Sequence, residues 1–288
     1  MTAPFALALL SLDGVGRVTA HRVLERFTSA ASLREAPHEQ VLLRLKGTPN
    51  AERTVEALRG APLADADERS RQRVEALTEK GIHVLAPGGP AWPSGLDALS
   101  RSDRPVVLYA FGDLKALRWP ALAVLAAAPL DGGAFETAQS VAQRTLAQGR
   151  GLVVGAATGV DLALQKLSLA AGLPAVAVVG AGLARLDRSM RPGATTLTRS
   201  GGLLVSSFPM AHGPFDHDDR ERALVQAALG RAVLAVTPPA GSPEAGAVAW
   251  AASAERPVAL VPPAPADASW ADAAHPTSDP DAIARLVA

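Results

Sequence analysis

Gly151-Leu152-Val153-Val154-Gly155-Ala156-Ala157-Thr158-Gly159-Val160-Asp161 is the stretch that decides how this chain folds. A short apolar run ends among glycines, and helical spacing begins at the acid that follows. A run that is apolar on both faces and too short for a helix reads as a strand buried inside a parallel sheet. Comparable runs recur at 121–128, 175–179, 203–206, 232–237 and 258–261, and helical patterns lie at 134–148, 161–171, 218–229 and 244–254. That alternation predicts an α/β fold, a Rossmann-like doubly wound parallel sheet, over residues 119–264.

Working outward, residues 1–78 carry helical spacing throughout, broken at Pro37, at Gly47-Thr48-Pro49-Asn50 and at Gly60-Ala61-Pro62. They predict a small all-helical unit. Residues 79–118 hold short β-type runs at 82–85 and 106–109 around Pro87-Gly88-Gly89-Pro90-Ala91-Trp92-Pro93, and are expected to be a connector packing on the core. Residues 265–288 turn rich in Pro, Ala and Asp, a tail in which Ser278-Asp279-Pro280-Asp281 caps one short terminal helix.

Composition narrows the function. Lys plus Arg and Asp plus Glu number 28 each in 288 residues, so no global field draws the chain to nucleic acid or to an acidic membrane. Any nucleic-acid binding must be local. The absence of cysteine excludes disulfides, thiolate metal sites and thiol nucleophiles. The apolar stretch near the N-terminus lacks a basic n-region, and no apolar run is long enough to span a bilayer, so a cytoplasmic protein without membrane contact is expected.

In Leu12-Asp13-Gly14-Val15-Gly16-Arg17, between two helical patterns, the glycines allow a helix-hairpin-helix (SAM-like) turn. Its backbone N–H groups could approach phosphate oxygens, with Arg17 and Arg22 adding charge. A plain helical hairpin fits the same residues. Gly155 and Gly159 after one strand, and Gly180 and Gly182 after the next, are candidates for a phosphate-binding wall at the carboxyl ends of the strands, against the plainer reading of tight turns. The full Gly-x-Gly-x-x-Gly fingerprint and the Gly-Lys-Ser/Thr P-loop are both missing, so no dinucleotide or nucleotide cofactor is expected. His212 and His217 flank Asp216, Asp218 and Asp219, but consecutive acids do not converge as metal ligands, and a solvated loop is expected with no metal. Ser206, Ser207 and Ser242 lack a nucleophile elbow. Arg220 and Arg222 open a helix against its dipole and call for an anion, either DNA phosphate or Asp218 and Asp219. With only 4% aromatic residues and four scattered Trp, base-stacking platforms look few.

The arrangement resembles the DNA-processing protein A (DprA, or Smf) family. The likeness is carried by the hairpin and by Arg104-Pro105-Val106-Val107-Leu108-Tyr109-Ala110-Phe111-Gly112. Further matches are Gly149-Arg150-Gly151-Leu152-Val153-Val154-Gly155-Ala156-Ala157-Thr158-Gly159-Val160-Asp161, Val178-Val179-Gly180-Ala181-Gly182-Leu183, Gly201-Gly202-Leu203-Leu204-Val205-Ser206 and Arg256-Pro257-Val258-Ala259-Leu260-Val261-Pro262. Among the chain's departures from the family pattern, Thr158 stands where the family often carries a cation, and Ser206-Ser207 replaces Ser-Glu. Ala126-Ala127-Ala128-Pro129-Leu130 replaces a strand end with Gly-Ser-Arg, Arg220-Glu221-Arg222 replaces Arg-Asn-Arg, and no C-terminal winged-helix-like module follows.

The resemblance implies a non-enzymatic protein that holds and protects single-stranded DNA and helps load a RecA-type recombinase in DNA uptake or repair. It further implies a homodimer, or a heterodimer with a more typical relative. The DNA-contacting set it implies is Gly155, Thr158, Gly159, Gly180, Gly182, Arg185, Arg220, Arg222, Gly241 and Ser242, with Gly14, Gly16 and Arg17 in the hairpin. Two other readings stay open: a protein-interaction scaffold with weak DNA binding, and a nucleotide hydrolase of the related LOG class.

Overall fold

The computed structural model describes residues 2–127, 129–156 and 159–287. The chain divides into two compact units, Met1–Trp92 with Leu99–Tyr109, and Pro93–Ala98 with Ala110–Ala288.

The first unit is helical: α1 (Ala3–Leu10), α2 (Arg17–Leu24), α3 (Ala30–Glu35), α4 (His38–Arg44), α5 (Ala51–Arg59) and α6 (Ala61–Thr78), followed by β1 (Ile82–Leu85). Its breaks have local causes. Gly14 turns the chain before α2 at φ 78°, a region closed to most side chains. Ser29 and Ser32 cap α3 reciprocally. Gly60 separates α5 from α6 where a Cβ would stand 2.9 Å from the Glu56 carbonyl. Phe5, Leu9, Leu33, Leu45, Leu58 and Leu63 are fully buried, and α1 packs along α6. The segment Leu99–Tyr109 is tied to α2, where His21 Nε2 lies 3.0 Å from the Arg104 carbonyl and Arg101 pairs with Glu25 at 2.7 Å.

The chain passes to the second unit within β2 (Leu108–Gly112). There β3 (Ala121–Ala126), β4 (Gly151–Gly155), β5 (Ala175–Val178), β6 (Leu203–Ser206), β7 (Ala232–Val236), β8 (Val258–Val261) and β9 (His275–Pro276) run parallel in the order β6-β5-β4-β3-β7-β8-β9. Ala123 pairs with Val153 on one side and Val233 on the other, which fixes β3 at the centre.

Because successive side chains on a strand face opposite ways, the strands divide their residues between two layers. Leu122, Val124, Leu152, Val154 and Leu234 join one core with α7 (Gly132–Ala147), α8 (Gly159–Ala170), α9 (Arg191–Arg199) and α12 (Pro280–Arg285). The alternate residues, among them Ala123, Val153 and Val233, lie on the face covered by α10 (Asp218–Leu229) and α11 (Pro243–Ser253), which pack on each other. This is the doubly wound α/β arrangement.

Three expectations change. The stretch 79–118 is shared between the units: Pro93–Ala98 belongs to the second, where Arg256 Nη2 donates to the Gly95 carbonyl at 3.0 Å and a Cβ on Gly95 would meet the backbone of Ala228. The helix α9 stands where no helix was expected. The terminal stretch is part of the fold: β9 extends the sheet, α12 packs on α7, and Trp270, Ile283 and Val287 are buried. Asp279 caps α12 as its sequence implies, its Oδ1 accepting from Ala282 N at 3.0 Å.

Candidate nucleic-acid interface

Strand β3 has β4 on one side and β7 on the other, so the crossovers leaving the centre diverge beyond the carboxyl ends of these strands, the position at which open α/β sheets take their ligands. The loops after β3 to β7 line that edge. At α7 the helix N-terminus already holds an acid, because Asp131 Oδ1 accepts from Ala134 N at 2.7 Å. The dipole there is answered by a carboxylate of the protein itself, which repels phosphate.

Several of the expected phosphate donors are engaged within the protein. The N–H of Gly155 donates to Asp161 Oδ1 at 3.0 Å, its carbonyl accepts from Gln165 Nε2 at 3.2 Å, and a Cβ there would stand 2.6 Å from Asp161 Oδ2. Gly155 makes room for that buried acid. Gly182 donates to the His212 carbonyl at 2.9 Å, and a Cβ on it would run into the carbonyls of Pro209 and Met210. It is a close-approach glycine. Ser242 caps α11, its Oγ accepting from Ala245 N at 3.1 Å.

Gly180 packs over Asp219 and Arg222, whereas Gly159 and Gly241 border open space, Gly241 at φ 71°. Thr158 lies outside the described residues.

Arg222 is engaged within the protein as well. Its side chain is 11% exposed and lies in a closed polar network: Nη2 to Glu244 at 2.5 Å, Nε to Asp219 at 2.9 Å and Nη1 to Gln226 at 2.8 Å. Gln226 in turn donates to the Val124 carbonyl at 2.6 Å. Burial pulls the Arg222 pKa down, but Asp219 and Glu244 outweigh it and hold the guanidinium above its ordinary value. The network fastens α10 and α11 to the central strand. Arg220 is exposed on the first turn of the same helix, beside Asp218, Asp219 and Glu221.

In the first unit Gly16 stands at the N-cap of α2, but Arg17 Nη1 donates to the carbonyls of Ser102 at 3.2 Å and Asp103 at 3.4 Å, and Arg22 donates to that of Lys46 at 3.1 Å. Both cations fasten their own unit through these bonds. A groove of about 580 Å³ beside the hairpin mixes Arg53 and Arg69 with Asp13, Glu56 and Asp65. Such a lining gives phosphate no net attraction.

The loop after β6, expected to be merely solvated, holds an aromatic column. Phe208 stacks on His212 at 4.8 Å between ring centroids, His212 meets the edge of Phe215 at 5.1 Å, and Phe215 stacks on His217 at 5.6 Å. Asp218, 2% exposed, anchors the column by accepting from Phe215 N at 3.1 Å and facing His212 Nε2 at 3.0 Å. Phe215 itself is 55% exposed. The spacing Phe208, His212, Phe215, His217 is visible in the sequence, yet a count of aromatic residues passes over its two histidines. Among the described residues no group of three potential ligands could hold a metal ion.

A model of the DNA recombination-mediator protein A family matches residues 83–282. The chain belongs to that family. The match takes in the whole strand series from β2 to β9 and begins after α6.

Among solved structures, the fold resembles DNA processing protein A from Streptococcus pneumoniae, at 20% identity and a TM-score of 0.71, covering 99% of this chain and 98% of that one. It also resembles DNA processing protein A from Helicobacter pylori, described as having a unique single-stranded DNA binding mode, at 18% identity and a TM-score of 0.60, over 72% of this chain and 95% of that one. No curated protein matches the sequence. Among the described residues no helix is long and apolar enough to cross a membrane.

Proposed function

We propose that this family member binds and protects single-stranded DNA along the carboxyl edge of its sheet, and there helps load a RecA-type recombinase during DNA repair or uptake. It acts without making or breaking a covalent bond, as a homodimer or paired with a related chain. The observation that carries the reading is the column whose outer rings, Phe215 and His217, are exposed: an aromatic surface at that edge accepts any unpaired base, and a duplex keeps its bases stacked inside. Family membership supplies the biological setting.

The test is fluorescence anisotropy with an oligo-dT strand and a matched duplex at low and moderate salt. Wild type should prefer the single strand, and Phe215→Ala should lose about 1–3 kcal/mol, roughly 5- to 150-fold, with little change in stability. Equal affinity of the variant would remove the column from the interface.

A protein-interaction scaffold is the second reading, favoured by Asp131 at the N-terminus of α7 and the internal engagement of Arg222. Wild type that ignores the strand at low salt would establish it over DNA binding. Release of free base from nucleoside monophosphates would instead make the chain a hydrolase.

A further inference from the structure

We infer that the turn spanning residues 185–191 is the phosphate track of this chain, three arginine forks that grip the backbone of single-stranded DNA while its bases reach the Phe215 column. The inference rests on the single-strand reading above and assigns the cations that reading lacks. Neither the strand-end glycines nor the buried Arg222 supply them.

The chain is neutral overall, yet residues 183–199 hold Arg185, Arg188, Arg191 and Arg199 against Asp187 alone. The first turn of α10 is the reverse, with Asp218, Asp219 and Glu221. Arg185, Arg188 and Arg191 are all exposed. Two of them are tethered through Nε only: Arg185 to the Ala211 carbonyl at 3.2 Å and Arg191 to the Leu186 carbonyl at 3.3 Å. Their Nη groups have no hydrogen-bond partner among the described residues, and neither has the side chain of Arg188. An arginine fixed at Nε with both terminal nitrogens unengaged is a preorganised fork for a phosphate's two oxygens.

Asp187, the acid within the turn, is held by Ser189, whose Oγ lies 2.5 Å and N 2.8 Å from Oδ1. It forms no ion pair with the three arginines among the described residues.

The turn is also joined to the column. Gly182 N donates to the His212 carbonyl at 2.9 Å and Ala184 N to the Met210 carbonyl at 3.1 Å, flanking the bond from Arg185 to Ala211. Phosphate forks and an aromatic face, held side by side by backbone bonds, are the two elements that non-specific single-strand binding needs.

The experiment measures oligo-dT anisotropy from 50 to 200 mM NaCl on the full chain. Each phosphate contact contributes a slope of about 0.7 in log K against log salt for a single strand. Removing three forks in Arg185→Gln/Arg188→Gln/Arg191→Gln should lower the slope by about 2, so wild type loses roughly 20-fold more affinity than the variant across that range. Arg199→Gln, one charge at the far end of α9, should leave the slope near wild type, and Phe215→Ala should weaken binding without flattening it.

A folded triple variant with the wild-type slope overturns the track while leaving the single-strand reading intact. Wild type that ignores the oligonucleotide overturns both. Should the triple variant fail to fold, Arg188→Gln, which breaks no hydrogen bond, decides alone: a slope lower by about 0.7 supports the track and an unchanged slope rejects it.

Discussion

Replacing Arg222 by Met separates a structural cation from a DNA-binding one. The Arg222 and Glu244 side chains are 11% and 9% exposed, so removing the guanidinium strands a carboxylate in a site nearly closed to water. Breaking one side of a buried pair costs about 3–5 kcal/mol. The bond to Asp219, whose side chain is 54% exposed, adds little because solvent screens it. For a unit of this size each kcal/mol lowers the melting temperature by about 2–4 °C. Arg222→Met should therefore melt about 6–20 °C below wild type, by circular dichroism. Arg222→Met with Glu244→Gln should recover most of the loss, since the charge left unpaired, Asp219, is exposed to solvent and none is buried. Measured where both proteins are folded, the salt dependence of DNA binding should not change. A variant that melts within about 2 °C of wild type and loses about 0.7 in salt slope would refute the structural assignment and make Arg222 a phosphate ligand.

Gly182→Ala should displace the loop after β6, because its Cβ would meet the carbonyls of Pro209 and Met210; a loss of about 1–3 kcal/mol in urea unfolding is expected. Gly159→Ala, facing open space, should stay within about 0.5 kcal/mol, and equal costs at the two sites would remove the close-approach argument. His21 gives the first unit a pH dependence. Burial lowers its pKa below the ordinary 6.5, outweighing the bond to the Arg104 carbonyl, which raises it. The unfolded chain then binds the proton more readily than the folded one. The contribution is complete above the ordinary value and is lost as pH falls from there through the lowered one. Urea midpoints should fall over that interval, and His21→Gln should flatten the curve; an unaltered curve in the variant would assign the dependence to another group.

The sheet was legible because its strands are apolar on both faces. Runs such as Leu152-Val153-Val154 and Val233-Leu234-Ala235 leave no other economical burial, and all six core runs are strands, with ends shifted by a residue or two. The helix α9 was not legible: it buries only Ala194 and Leu197, its remaining positions are Thr, Arg, Gly and Pro, and Pro192 reads as a breaker although it occupies the first turn. The site was less legible still. A glycine after a strand has the same letter whether its N–H meets a ligand or, like Gly155, a buried Asp161. Arg222 and Arg188 likewise look alike until burial separates them. The column escaped composition because two of its four rings are histidines.

The hydroxyl of Ser206, fully buried, donates to the Ala181 carbonyl at 2.7 Å and accepts from Phe208 N at 3.1 Å, riveting the base of the turn after β5 to the base of the loop after β6. Neither segment can swing out without shearing the other's hydrogen bonds. Their hydrogen bonds therefore hang on one hydroxyl, and amide exchange at the two bases should rise and fall together.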